Sequence, residues 1–117
     1  MKQLGVVVFW LCALLLFAVP AARAQKWVWC GTSETAPTGQ RVTIYYSDAF
    51  EEKDGASLHD YIEGFGSYVR AHYDAPRAVG QCRIGYTSKS EASSARDEGA
   101  ATVKSRGNEV IFTSWTY

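Results

Sequence analysis

The chain of 117 residues is 47% hydrophobic, 21% charged and 14% aromatic, the size and composition of one globular domain, and a multidomain enzyme is excluded. Twelve Lys plus Arg balance twelve Asp plus Glu. There is therefore no basic excess to track a phosphate backbone and no acidic tail, and nucleic acid is not an expected partner.

The chain opens with Lys2, then the apolar run Leu4 to Val19, a Pro at position 20 and the small-residue sequence Ala22-Arg23-Ala24. This pattern predicts a signal peptide over residues 1–24, because the run is short of the roughly 20 residues a spanning helix needs and Ala-x-Ala suits signal peptidase. Cys12 follows Phe9-Trp10-Leu11 rather than small residues, so no lipid attachment is expected. Cleavage before Gln25 leaves one domain over 25–117, removes Lys2 and Arg23 and gives a net charge of −2. The expected location is periplasmic or extracellular, with no membrane segment after cleavage.

Cys30 and Cys82 are then an even pair in a chain bound for an oxidising compartment, which predicts one disulfide. With 52 residues of separation, the chain-entropy model assigns it about 4 kcal/mol. A metal site would need more ligands. The only histidines, His59 and His72, sit 13 residues apart on one predicted helix and project about 140° from each other. No metal and no cofactor are expected.

Lys26 to Cys30 alternates aromatic and β-branched residues and predicts a first strand. Gly31 to Gln40 breaks it with loop residues, and Arg41 to Ser47 predicts a second strand. After the Asp54-Gly55 turn, Ser57 and Asp60 form a weak capping box. The spacing of Leu58, Tyr61, Ile62, Phe65, Tyr68, Val69 and Tyr73 predicts an amphipathic helix that Pro76 ends. Gly64 and Gly66 within it each cost about 1 kcal/mol relative to Ala, which calls for close backbone packing or a bend. Gln81 to Thr87 predicts a third strand. Ser88 with Glu91 forms a stronger capping box and opens a second helix that runs through Ala92, Ala95, Gly99 and Val103, has a buried face of small residues, and stops at Gly107-Asn108. Glu109 to Tyr117 alternates and predicts a closing strand.

The expected fold is therefore α+β, in the order β-β-α-β-α-β: a small four-stranded, mixed sheet with two helices packed on one face and one disulfide. Strand alternation puts Val28, Cys30, Val42, Ile44, Tyr46, Cys82, Ile84, Tyr86, Val110 and Phe112 under the helices. The opposite parity collects Trp27, Trp29, Tyr45, Arg83 and Trp115, with Arg41, Thr43, Thr113 and Tyr117, on an outward aromatic face.

The segments Tyr45-Tyr46-Ser47-Asp48-Ala49-Phe50, Cys82, Ala95-Arg96-Asp97 and Thr113-Ser114-Trp115-Thr116 resemble a pattern in small secreted bacterial proteins. That resemblance covers roughly residues 26 to 117 and implies no activity. The expected architecture is also similar to SPOR domains, periplasmic modules that bind peptidoglycan with two helices on one face of a four-stranded sheet. Their order is β-α-β-β-α-β, so the likeness is architectural and carries over no residue.

No Gly-x-Ser-x-Gly elbow and no phosphate-binding glycine loop occur, and the pairs Glu51-Glu52 and Asp97-Glu98 sit beside Lys53 and Arg96 as surface charges do. No catalytic residue is assigned. Trp27, Trp29, Tyr45, Arg83 and Trp115 are the candidate ligand contacts, because Trp and Tyr offer an apolar face with a polar handle. The expected role is a non-enzymatic binding module for a protein or an envelope glycan. The alternative is a structural or accessory envelope protein that uses this face to form a homodimer, and a small enzyme is the least favoured reading.

Overall fold

The computed structural model describes residues 26–33 and 40–117. The signal peptide over 1–24, Cys12 and most of the Gly31 to Gln40 loop lie outside the described residues. Five strands and two helices follow one another as β1 Trp27–Thr32, β2 Thr43–Tyr46, β3 Phe50–Glu51, α1 Leu58–His72, β4 Gly80–Tyr86, α2 Lys89–Ser105 and β5 Glu109–Phe112. The class is α+β with a mixed sheet. Among the described residues no helix is long and apolar enough to cross a membrane.

β1 is the organising strand. One of its edges pairs antiparallel with β4, from Trp27↔Tyr86 to Thr32↔Gly80. Its other edge takes β2 at Gly31↔Tyr46 and β3 at Val28↔Phe50, and β2 then pairs in parallel with β5. The fifth strand, β3, was not expected from the sequence. It arises because the chain does not leave the sheet where the predicted second strand ends at Ser47: a serine hydroxyl there stands in for the ladder, and Asp48-Ala49 lead back to it. Ser47 Oγ accepts the Cys30 N–H at 2.8 Å while the Ser47 N–H donates to the Cys30 carbonyl at 2.8 Å. The extra residue shifts the register, and β3 resumes on the same edge.

Both helix starts carry the serine N-cap that their sequences predict, but the full box forms only at the first, the reverse of the expected order of strength. Ser57 Oγ accepts the Asp60 N–H and the Asp60 carboxylate accepts the Ser57 N–H at 2.7 Å, a reciprocal box that also holds the Asp60 carboxyl below its ordinary pKa. At α2, Ser88 Oγ accepts the Glu91 N–H, but the Glu91 carboxylate reaches past Ser88 to the hydroxyl and N–H of Thr87, which lower its pKa. Gly107, at φ +90°, turns the chain from α2 into β5.

The helices do not share a face, which corrects the expected arrangement and removes the SPOR likeness. Tyr61, Phe65 and Val69 of α1 pack with Val28, Cys30, Tyr45 and Phe50. Ala100 and Val103 of α2 pack instead with Ile44 and Tyr46, joined by Trp29, Val42 and Val110. Chain direction explains the outcome. The β3–α1–β4 connection runs across the sheet one way and β4–α2–β5 runs back the other way. Two crossovers of the same hand in opposite directions must place their helices on opposite faces.

With both faces covered, alternation no longer separates inside from outside. Val28, Cys30 and Cys82 lie on the α1 side with Tyr45 and Ile111, whereas Val42, Ile44, Tyr46 and Val110 lie on the α2 side. Two residues assigned to the core are largely exposed: Ile84 at 45% and Phe112 at 52%. Ile84 is turned out by a bulge in β4, where the register with β1 shifts and Gly85 takes φ +93°.

Close backbone approach, rather than a bend, accounts for Gly66. A Cβ built on Gly80 would lie 2.5 Å from the Ile62 carbonyl and 3.2 Å from the Gly66 N, so the backbone of α1 rests on the first residue of β4. Gly64 leaves room for the Trp115 ring, 3.1 Å from where its Cβ would stand.

Candidate functional site

The five residues predicted to form one aromatic face occupy different surroundings. Tyr45 is buried at 7% exposure and packs at 4.6 Å, tilted by 42°, against Tyr73 in the α1 core. Trp115, half-buried, packs on the same side against Phe65 at 5.3 Å and Phe50 at 5.6 Å. It belongs to no strand, because pairing ends at Phe112 and the chain then crosses over α1. Trp29 is half-buried on the opposite side, against Tyr46 at 6.0 Å and α2 at Gly99. Its Nε1 is buried with no acceptor among the described residues, so its polar handle is out of reach of a surface ligand. Trp27, half-buried, lies at the β3 end of β1 between Glu51 and Tyr86.

Only Trp29 and the exposed Arg83 meet. They are cross-strand neighbours and line a small notch of about 100 Å³ with Tyr46. A single patch uniting Trp27, Trp29, Tyr45 and Trp115 does not form.

The segments that carry the secreted-protein resemblance converge instead on Arg96. Its Nη1 donates to the Ser47 carbonyl at 3.1 Å and lies 3.6 Å from the Asp48 carboxylate, while Nε and Nη2 both donate to Asp97. The guanidinium also sits 5.0 Å over the Phe112 ring. Asp48 in turn donates its N–H to the Trp115 carbonyl, and Thr113 Oγ1 donates to the Tyr46 carbonyl. Every face of the guanidinium is engaged, so this constellation braces the interruption between β2 and β3 against α2 and the C-terminal segment.

The larger opening lies at the other end of β2. A cleft of about 320 Å³ separates Thr43 and Tyr45 from the turn that follows α1, residues 74–78, within the size range of small-ligand sites. The turn is held by its own geometry. Ala78 donates its N–H to the Ala75 carbonyl, and Arg70 Nη1 reaches back from α1 to the Ala78 carbonyl at 2.8 Å. Opposite it, Thr32 Oγ1 accepts the Tyr45 N–H at 2.9 Å and ties β1 to β2 where their direct pairing has ended.

Asp74 and Arg77 flank the opening, both exposed, and neither makes a hydrogen bond or ion pair among the described residues. Tyr45 forms part of the wall. Burial first, then the nearby Glu109, Tyr73 and Asp74, push its phenol pKa up, so it stays a neutral hydrogen-bonding group. The cleft thus offers hydroxyls, one carboxylate, one guanidinium and parts of Tyr45 and Pro76. Among its described lining residues there is no histidine or cysteine, and no cluster of three potential metal ligands occurs among the described residues.

Of this site the sequence grouped Tyr45 with Thr43, but on a face expected to be bare. Pro76 was legible as a helix terminator, and the polar residues beside it, Asp74 and Arg77, were the signal that a loop of mixed charge follows α1. No family model, curated protein or solved structure matches the chain.

Proposed function

We propose that this chain is a non-enzymatic binding domain that works in the periplasm or outside the cell and holds a short stretch of envelope glycan in the cleft between β2 and the 74–78 turn. The observation that carries this reading is the composition of the cleft. Two opposite charges without partners among the described residues flank a cavity walled by hydroxyls and by Tyr45 and Pro76, and sugars are held by such combinations of ring face and hydrogen bond. The Cys30–Cys82 disulfide supports an oxidising location.

Isothermal titration of the mature protein with a β-1,4-linked N-acetylglucosamine tetramer tests the reading. Binding is expected, with an at least tenfold loss in the Asp74→Ala/Arg77→Ala double variant and no change in melting temperature, since both side chains are exposed. Equal binding by the double variant would move the site elsewhere. Absence of binding, together with a dimer that dissociates on dilution, would favour the accessory homodimer.

A further inference from the structure

Both edges of the sheet are open among the described residues, since β4 pairs only with β1 and β5 only with β2, but they are not equivalent. The β4 edge carries Arg83 and the Ile84-Gly85 bulge, two devices that discourage another strand from pairing there. The β5 edge has no bulge, and its one charged residue, Glu109, stands at its first position. Its register with β2 is unbroken from Thr43↔Glu109 to Tyr46↔Phe112. Glu109 and Thr113 donate inward to the Val42 and Tyr46 carbonyls, and alternation then turns the N–H and C=O groups of Val110 and Phe112 toward the outer side.

The side chains of these same two residues face α2, and between the strand and the helix runs a groove of about 250 Å³. Ala100 and Ala101 form its helix wall, and Phe112 is 52% exposed along it. One helical turn past the alanines stands Lys104, exposed, whose side-chain ammonium makes no hydrogen bond or ion pair among the described residues. Asp97, at the other end, is already held by Arg96. The groove therefore offers backbone pairing along one side, an apolar trough and one uncompensated positive charge.

We propose that the β5 edge and the α2 groove are a docking site for an extended polypeptide strand from another protein, with apolar side chains at alternate positions and an acidic group at the Lys104 end. The open ladder selects extended backbone, the trough takes the alternate side chains, and Lys104 sets the end that carries the acid. This site lies on the α2 side of the sheet and is independent of the glycan cleft.

The test uses the mature, disulfide-bonded protein and a fluorescein-labelled peptide, Thr-Val-Thr-Val-Thr-Glu, followed by fluorescence anisotropy. Two N-methylated forms are compared, one methylated on the valines and one on the second and third threonines. Because only every second amide of an added strand faces its neighbour, one form should lose at least tenfold in affinity and the other should keep most of it. Ala101→Trp, which fills the trough from an exposed helix position, should lose at least tenfold with unchanged melting temperature. Lys104→Glu should weaken the acidic peptide and leave its glutamine counterpart unaffected. Equal loss or equal retention in the two methylated forms would overturn the proposal, as would full binding by Ala101→Trp, no binding at millimolar peptide, or a second copy of this chain occupying the groove as a dimer that Ala101→Trp dissolves.

Discussion

Replacing Cys30 and Cys82 together by alanine is expected to lower the free energy of unfolding by about 4 kcal/mol, the value the chain-entropy model gives for a loop of this length. The structure shows why the loss should approach that figure. The two cysteines are direct cross-strand partners in the β1–β4 pair, 52 residues apart in sequence, and β4 has no other strand neighbour among the described residues. The crosslink closes the loop that contains β2, β3 and α1, so its removal releases most of the fold at once in the unfolded state. A single domain of this size has little stability to spare. Urea denaturation of the double variant against the oxidised parent measures the difference, and a loss below about 1 kcal/mol would show that the loop constraint contributes little.

Trp115→Ala is expected to cost about 3 kcal/mol, the low end for a large aromatic because the ring is half-buried. Its indole is in contact with Phe65 and Phe50 and lies over Gly64, so truncation opens a cavity above the fully buried Phe65. Trp29→Ala should also destabilise, by emptying the space between Tyr46 and α2. The two losses should add to within about 0.5 kcal/mol in the double variant, because the rings lie on opposite sides of the sheet and share no neighbour in the core clusters. Strong coupling between them in a denaturation cycle would contradict that placement and restore a shared aromatic face.

These two experiments bear on how far the fold was legible in the sequence. Local chemistry was readable wherever it is settled within a few residues. Ser57 and Ser88 marked helix starts, the Phe65 and Val69 stripe marked a buried face, and Cys30 and Cys82 were read as a disulfide pair. What could not be read was the relation between strands. Alternation states that Ile44 and Tyr46 share a side, but not whether that side is the one Cys30 faces. That phase depends on the Ser47 interruption and on the direction in which each crossover runs.

The candidate site was obscured by the same gap. Trp and Tyr were assigned to a surface because the sheet was expected to have one bare face. In a sheet covered on both sides, aromatic residues of either parity find a core, as Tyr45 does against Tyr73 and Trp29 does against α2. Asp74 and Arg77 drew no notice because a charged pair after a helix reads as solvated loop. Their significance comes from Thr43 and Tyr45 across the cleft, a juxtaposition made by tertiary structure alone.

Residue-resolved mapping of the glycan titration tests the proposed site most directly. In ¹H–¹⁵N spectra of the mature protein, the N-acetylglucosamine tetramer should shift the amides of Thr43, Asp74, Ala75 and Arg77 in a saturable way and leave those of Trp29, Arg83 and Phe112 in place. Saturable shifts confined to the notch between Trp29 and Arg83, or no shift at any residue at millimolar glycan, would contradict the cleft as the binding site.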